Sequence, residues 1–368
     1  MSLEPVELRH ILHKNPELSF NEVNTTKLLL KNIGDFNADL KIHTPFKTGL
    51  LVEYKVNDGD YFLFRADIDA LPVKEENEID FRSNNEFMHA CGHDVHTSIM
   101  YAFLRQVSEN KYDKNILFLF QPAEESGGGA MEFYATGIFD KFTISKAFAL
   151  HVTDEYKEGT VASTSGVLFA SALEMDFEFK GVSAHVAFPK EGKNAFNALR
   201  IFLDECEKMP VIPESPVVLG IGKILAGEVR NITPDFAKLE TSIRGLSKEK
   251  VLNYCADLQI ILEKIEQKTG VKFAMKKGAH YPEVIVDEKL FNDLSKVLSA
   301  KFDFIDCGYK MTGEDFGLFS RNFPSFMFWL GTSKNGERYG LHSPRFLPPD
   351  SVIEKGKNIF TEILISQM

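Results

Sequence analysis

Residues 114–125 read KNILFLFQPAEE. Ile116 through Phe120 form an unbroken apolar run, short enough for a strand and bounded by the polar Asn115 and Gln121. A run of this kind suits a strand buried on both faces, because a half-exposed strand alternates apolar and polar residues. It leads into a polar loop, after which GGGAMEFYATGIF (127–139) begins a helix. Strand, polar loop and helix in immediate succession make one unit of a layered α/β fold, and the neighbouring sequence repeats the pattern. TGLLVEYKV (48–56) and YFLFRADIDALP (61–72) read as strands joined by a turn at Asn57-Asp58-Gly59. HTSIMYAFLRQVSEN (96–110) reads as a helix, and KAFALHV (146–152) as another buried strand.

At the N-terminal side, Leu8, Ile11 and Leu12 recur at helical spacing, as do Val23, Leu28, Leu29 and Leu30 beyond NPELSF (15–20). Near the C-terminus, LFNDLSKVLSAKF (290–302) is helical, SFMFWLG (325–331) is a buried strand, and residues 349–368 form a terminal helix. Between these parts the texture changes. LEMDFEFKG (173–181) alternates as an amphipathic strand, residues 194–209 form a helix, and PVVLGIGKILAG (216–227) and FAKLETSIRG (236–245) are strands. A long helix opens on Ser247 and closes on Gly270, and VKFAMKKGAHY (271–281) is a last strand. The order βαββαβ is that of a ferredoxin-like unit. A chain of 368 residues exceeds the usual size of one core. The expected organisation is therefore a discontinuous catalytic domain, 1–172 and 284–368, with an inserted domain at 173–283.

Composition narrows the function classes. A net charge of −11 lacks the basic excess that nucleic acid or an anionic membrane would need. No apolar run reaches the length of a membrane span, and the N-terminal segment lacks the apolar core of a secretion signal. The four cysteines, at 91, 206, 255 and 307, form no CxxC pair. These features lead us to expect a reduced, cytoplasmic protein without nucleic-acid or membrane partners.

Metal-capable side chains gather where the predicted strands end. Asp67 and Asp69 lie in RADIDALP, Cys91 and His93 in MHACGHDVH, Glu124 and Glu125 in QPAEES, and His151 in ALHV; His342 follows late in GLHSPRF. Each has an ordinary reading alone: a solvated Glu-Glu loop, a hydrogen-bonded core histidine, aspartates forming a turn before Pro72. Together at successive strand ends, where α/β folds place their ligands, they point to a metal site. Thiolate, imidazole and carboxylate suit a borderline divalent ion such as zinc, cobalt or nickel, with manganese a further candidate, and five or more groups suggest two ions. Adjacent glutamates on an extended chain point opposite ways, but at a strand-to-loop turn both can face one site. One can then bind metal while the other acts as general base.

RADIDALP, MHACGHDVH, QPAEE, ALHV, GVSAHVAFP (181–189), MTGEDFG (311–317) and GLHSP stand in the order found in the M20 family of metallopeptidases and amidohydrolases. The chain resembles its aminoacylase and hippurate-hydrolase branch from LHKNPELSF (12–20) to the terminal helix. Stretches outside the metal motifs, such as KTGLLVEYK and ILFLFQPAEESGGGA, resemble a deacetylating subgroup of that branch. The resemblance implies a mixed-sheet α/β/α catalytic domain of zinc-exopeptidase type carrying a ferredoxin-like lid, a candidate surface for a homodimer, with the oligomeric state left open. It implies metal ligation by Cys91, His93, Glu125, His151 and His342, with Glu124 as general base, Asp69 in the catalytic set and His185 as oxyanion donor. Asn231 in RNITPD and Arg244 in TSIRGL match positions that hold the substrate carboxylate. Glu314, with Asp315, is expected to support the site or meet a substrate amine. His89, Asp94 and His96 are expected to support the ligands. The implied reaction is hydrolysis of an N-acyl amino acid. Two features depart from the wider family: Asp67 stands where relatives with carboxylate-bridged zincs carry histidine, and GKNAF (192–196) replaces a Gly-x-Asp-Ala segment.

Overall fold

The computed structural model describes residues 2–36 and 39–368. The chain opens with α1 (Pro5–Lys14), α2 (Val23–Ile33), β1 (Leu40–His43), β2 (Leu50–Tyr54) and β3 (Tyr61–Asp67). It continues through α3 (His93–Glu109), β4 (Asn115–Gln121), α4 (Gly129–Ala135), β5 (Ile144–Lys157), β6 (Val161–Ser163) and β7 (Gly166–Phe169). Then come β8 (Ser171–Lys180), α5 (Ala195–Cys206), β9 (Val217–Ala226), β10 (Phe236–Gly245), α6 (Lys248–Thr269) and β11 (Lys272–Tyr281). The chain closes with β12 (Val284–Val286), α7 (Glu288–Ser299), β13 (Phe304–Asp306), α8 (Gly317–Asn322), β14 (Ser325–Ser333) and α9 (Ser351–Gln367).

These elements pack into two compact units. The first holds the chain up to Leu168 with Val284–Tyr309 and Asp315–Met368; the second holds Phe169–Glu283 and Lys310–Glu314. In the first, eight strands form a mixed sheet in the order β1-β2-β4-β3-β5-β14-β6-β13. At its centre β4, β3, β5 and β14 run parallel to one another, while β2 and β6 flank them antiparallel. Every residue of β3, β4 and β14 is buried, which explains their continuous apolar sequences. The parallel register sets Asp67 against Gln121 and Arg65 against Ala149, so the ends of β3 and β4 lie level and β5 passes alongside.

The second unit is a four-stranded antiparallel sheet in the order β11-β8-β10-β9. Leu173, Met175, Phe177 and Phe179 of β8 alternate onto one face. There they meet Ala198, Leu199 and Phe202 of α5 and Val251, Leu258 and Leu262 of α6. Cys255 is part of this core.

Several elements differ from the sequence reading. The N-terminal helical spacing divides into α1 and α2, because Pro16 lacks an N–H and disfavours helix at Asn15. Helix α3 starts at His93 rather than His96, so Cys91 and His93 sit on a turn into a helix and not at a strand end. That turn depends on Gly92, whose φ of +84° is left-handed and where a Cβ would stand 2.4 Å from Val152 Cγ2. β5 continues to Lys157, so His151 is an interior residue of its strand. β1, β6, β7, β12 and β13 are strands of three or four residues, too short for alternation to register.

Candidate metal centre

The first unit brings Cys91, His93, Glu125, His151 and His342 together. Cys91 Sγ lies 3.3 Å from His151 Nε2 and 3.4 Å from His342 Nε2. Glu125 Oε1 lies 3.8 Å from His93 Nε2 and 3.7 Å from His342 Nε2. Two ligands of one ion, bound at about 2.3 Å for sulfur and 2.0–2.1 Å for nitrogen, stand roughly 3–3.6 Å apart, so the sulfur–nitrogen contacts have the span of a shared ion. Two overlapping triplets, Cys91–His93–His151 and Cys91–Glu125–His342, share the cysteine. Glu124 Oε2 lies 4.0 Å from His93 Nε2, and His93, Glu124 and Glu125 form a further triplet close enough to hold an ion.

The histidines are set with their Nε2 lone pairs inward. His93 Nδ1 meets the Asp69 carbonyl at 3.0 Å and Asp69 Oδ1 at 3.2 Å. His151 Nδ1 meets the Val152 carbonyl at 2.8 Å. In each ring the Nδ1 donates, which leaves Nε2 as the acceptor a cation requires. His93 Nε2 and Glu125 Oε1 are buried without a hydrogen-bond partner. Buried polar atoms are rarely left so, and a cation between them satisfies both. His342 arrives differently. It has φ +65° on an exposed loop and its side chain is 55% exposed. Its N–H donates to the Ala90 carbonyl at 2.9 Å, and Asp154 Oδ2 accepts from Tyr339 N and Gly340 N at 2.6 and 2.8 Å.

The electrostatics agree with a cation. Burial pushes the Cys91 thiol well above its usual range, reinforced by the charges of Glu125 and Glu124. Burial likewise pushes Glu125 up to about 7, with Asp69 adding to it against the pull of His93. Without an ion His93 is held at about 10, where burial opposes and Asp67, Asp69 and Glu125 outweigh it, so a bound cation takes the place of the Nε2 proton. Burial also drives His151 well below its ordinary value, so its ring is neutral and free to coordinate. A thiol and several carboxylates crowded in low dielectric need compensating positive charge, and a divalent ion supplies it.

Around the ligands lies a shell that the sequence disclosed only in part. Asp67 accepts from Arg65 Nη1 at 2.8 Å and meets His96 Nδ1 at 2.6 Å, so both of its oxygens serve neighbours. His96 Nε2 in turn accepts the Val152 N–H at 2.8 Å, which makes it a brace between β3 and β5. His89 Nδ1 meets the Asp69 carbonyl at 3.1 Å. Asp94 pairs with Arg9 and His13, and His13 also meets Glu75 at 3.0 Å. Arg65 binds Asp315 at 2.7 Å, and Asp315 also accepts from Gln121 Nε2 and Ala130 N. Arg65, Arg9, Glu75 and Gln121 escaped the sequence reading. For Arg65 a signal existed: a charged residue inside YFLFRAD, in an otherwise apolar strand, must be paired when buried.

Asp69 has the most connections. Besides His93 it accepts from Ser19 Oγ at 2.7 Å and from Glu125 N at 3.0 Å, so one carboxylate orients a ligand ring and a ligand backbone together. Burial works against its ionisation, and these hydrogen bonds hold its carboxyl below the usual value. Ser19 and Glu125 share Oδ2 while His93 Nδ1 meets Oδ1, so Asp69→Asn, with one acceptor oxygen, cannot serve both positions. Removing such an orienting group typically costs roughly 10- to 100-fold in metal affinity. We expect that loss for Asp69→Asn in competition titrations with a chelating dye. Unchanged affinity would show that His93 needs no orienter.

The remaining candidates lie in the second unit. His185 is exposed and its segment pairs with that of Asn231: His185 bridges Ile232, and Val186 N donates to the Asn231 carbonyl at 3.2 Å. Arg244, half-buried near the end of β10, donates to Met311 O at 2.9 Å and to Ser242 Oγ at 3.3 Å. These take two of its five N–H donors. Glu314 is buried.

Residues 63–366 match the family model described as Peptidase family M20/M25/M40. The chain is 37% identical over 353 residues to an N-acetyldiaminopimelate deacetylase of Exiguobacterium sibiricum, covering 95% of each chain. Among solved structures it is similar to a putative aminohydrolase from methicillin-resistant Staphylococcus aureus, with TM-score 0.87, 25% identity and coverage of 99% of this chain and 94% of that one. It is also similar to the YXEP protein of Bacillus subtilis, described as a dinuclear metal-binding peptidase of the M20 family. That match has TM-score 0.81, 27% identity and coverage of 98% and 96%.

Proposed function

The chain belongs to peptidase family M20/M25/M40, and from that membership we propose that it removes acetate from N-acetyl-LL-2,6-diaminopimelate, a step of lysine biosynthesis. The observation that carries this reading is the 37% identity to a deacetylase of that substrate across 95% of both chains. The protein is a metal-dependent amide hydrolase of small molecules.

Cys91, His93, Glu125, His151 and His342 hold two divalent ions, of zinc, manganese, cobalt or nickel. When bound, such ions polarise the amide carbonyl and make a coordinated water acidic near neutral pH. The chain's own residues do the rest. Glu124, 7% exposed and with Oε2 4.0 Å from His93 Nε2, takes the proton of the attacking water. It returns that proton to the leaving nitrogen as the C–N bond breaks, releasing acetate and the free amine. His185 donates to the carbonyl oxygen as it gains charge. Arg244 and Asn231 hold the substrate carboxylate, the guanidinium fork matching its two oxygens, and Glu314 meets the substrate amine.

The competing reading is a broader aminoacylase or hippurate hydrolase with the same site. Turnover of N-acetyl-LL-2,6-diaminopimelate should exceed that of hippurate and N-acetylmethionine in kcat/KM. The reverse order would remove the lysine-pathway assignment and leave the amidohydrolase.

We also assign to the second unit, as a lid, the pairing of two chains. β9 is an edge strand whose Val218, Ile221, Ile224 and Leu225 are all exposed, and such an apolar edge is a template for pairing. Light scattering should give twice the chain mass, and Ile224→Lys should reduce it to one; a parent protein of single-chain mass would refute the pairing. The four cysteines are free, which suits a reducing compartment such as the cytoplasm.

A further inference from the structure

Adjacent residues on an extended chain cannot both face one site, yet Glu124 Oε2 and Glu125 Oε1 lie 4.0 and 3.8 Å from the same His93 Nε2. The backbone turns at Ala123, whose φ is +56°, a left-handed value that costs a residue with a Cβ and persists only where the surroundings impose it. Two hydrogen bonds do so. The Ala123 carbonyl accepts from Gly129 N at 2.9 Å, an approach so close that a Cβ on Gly129 would stand 1.7 Å from Pro122 O. The Ala123 N–H donates to Glu22 Oε1 at 2.8 Å.

Glu22 lies 101 residues away in the chain and is fully buried. It precedes helix α2, but its side chain makes no cap bond there. Its carboxyl therefore accepts from Ala123 rather than capping the helix it begins. Its neighbour Ser19 serves the same loop by bonding Asp69, which accepts the Glu125 N–H. Two carboxylates from separate segments thus hold two backbone N–H groups, one on either side of Glu124.

We propose that Glu22 is a positioning residue for amide hydrolysis, holding Ala123 in its left-handed conformation so that Glu124 faces the reacting centre. This rests on Glu124 acting as the base. Burial and the charge of Asp69 push the Glu22 carboxyl up to about 7, so a neutral amide is a fair substitute. Glu22→Gln keeps an acceptor at the same reach. Glu22→Ala removes it, and Glu22→Asp withdraws it by one methylene while keeping the charge.

The test measures kcat, KM and bound metal for the holoenzyme and these variants on N-acetyl-LL-2,6-diaminopimelate. A displacement of about 1 Å costs on the order of 100-fold in rate. Glu22→Ala and Glu22→Asp should therefore lose about 10- to 100-fold in kcat, with KM within about twofold and parental metal content. Glu22→Gln should recover to within about threefold of the parent. If Glu22→Ala does not fold, the contrast between Glu22→Asp and Glu22→Gln decides. Parental kcat in Glu22→Asp, equal losses in Glu22→Gln and Glu22→Asp, or a loss that follows the metal content would each overturn the proposal. Glu124→Gln measured alongside separates the two assignments. A slow Glu124→Gln with a parental Glu22→Asp removes only the positioning role, whereas an active Glu124→Gln removes the base itself.

Discussion

Glu124→Gln should lower kcat by about three to four orders of magnitude with bound metal unchanged. The substitution keeps size and hydrogen-bonding reach but cannot accept a proton from water. The geometry separates it from its neighbour. Glu125 Oε1 lies 3.8 and 3.7 Å from the Nε2 atoms of His93 and His342, while Glu124 Oε2 lies 4.0 Å from His93 Nε2. Glu125→Gln should accordingly shed metal, and its loss of activity should be recovered in part by added ion; the loss in Glu124→Gln should not be. Metal analysis beside kcat checks both. A Glu124→Gln protein with near-parental turnover, or one that has lost its metal, would reverse the two roles.

Stripping the metal with a chelator should abolish turnover, by roughly a thousandfold or more, because several kcal/mol of transition-state stabilisation leave with the ions. Zinc, manganese, cobalt or nickel should restore it. Stability should fall as well. A ligand at about a thousand times its Kd contributes about 4 kcal/mol, which for a domain of this size is roughly 8–16 °C in the melting of the first unit. The pH dependence of the stripped protein has a definite sign. Glu125 is raised from 4.5 to about 7 and His93 from 6.5 to about 10. Both folded values exceed the unfolded ones. The stability they contribute is thus fully present below pH 4.5 and 6.5 respectively, and is lost as pH rises through about 7 and about 10. Melting temperature of the stripped protein should therefore decline with rising pH more steeply than that of the loaded protein. Equal melting temperatures with and without chelator, or turnover that survives chelation, would show that the cluster holds no functional metal.

The layered fold, and which segments carry metal-capable side chains, were legible because local chemistry dominates them. An apolar run such as Ile116–Phe120 has few stable fates other than a strand buried on both faces, as β4 is. Cysteine, histidine and paired glutamates beside such runs are costly unless something binds them. The βαββαβ order of the second unit was legible for a similar reason, with Leu173, Met175, Phe177 and Phe179 alternating onto the face that meets α5 and α6.

The hydrogen-bonded support was not legible, because it joins residues with no local pattern. Arg65 meets Asp315 across 250 positions, Glu22 meets Ala123 across 101, and Arg9 meets Asp94 across 85. No periodicity encodes those pairs. The boundaries that failed did so for non-local reasons: the left-handed Gly92 begins α3 three residues earlier than the apolar pattern indicates, and β5 runs on past His151 because β14 continues its pairing.

By itself, then, the sequence determined which residues carry charge, thiol and imidazole, and which segments had to be buried. Tertiary structure alone decided how those groups point. The orientation of the His93 ring, the positions of two adjacent glutamates, and the hydrogen bond between Asp67 and His96 depend on contacts between segments distant in the chain. The physical reason is one of range. Hydrophobic burial is read from residue type and spacing, whereas a hydrogen bond fixes direction only when its distant partner has been brought within 3 Å or so.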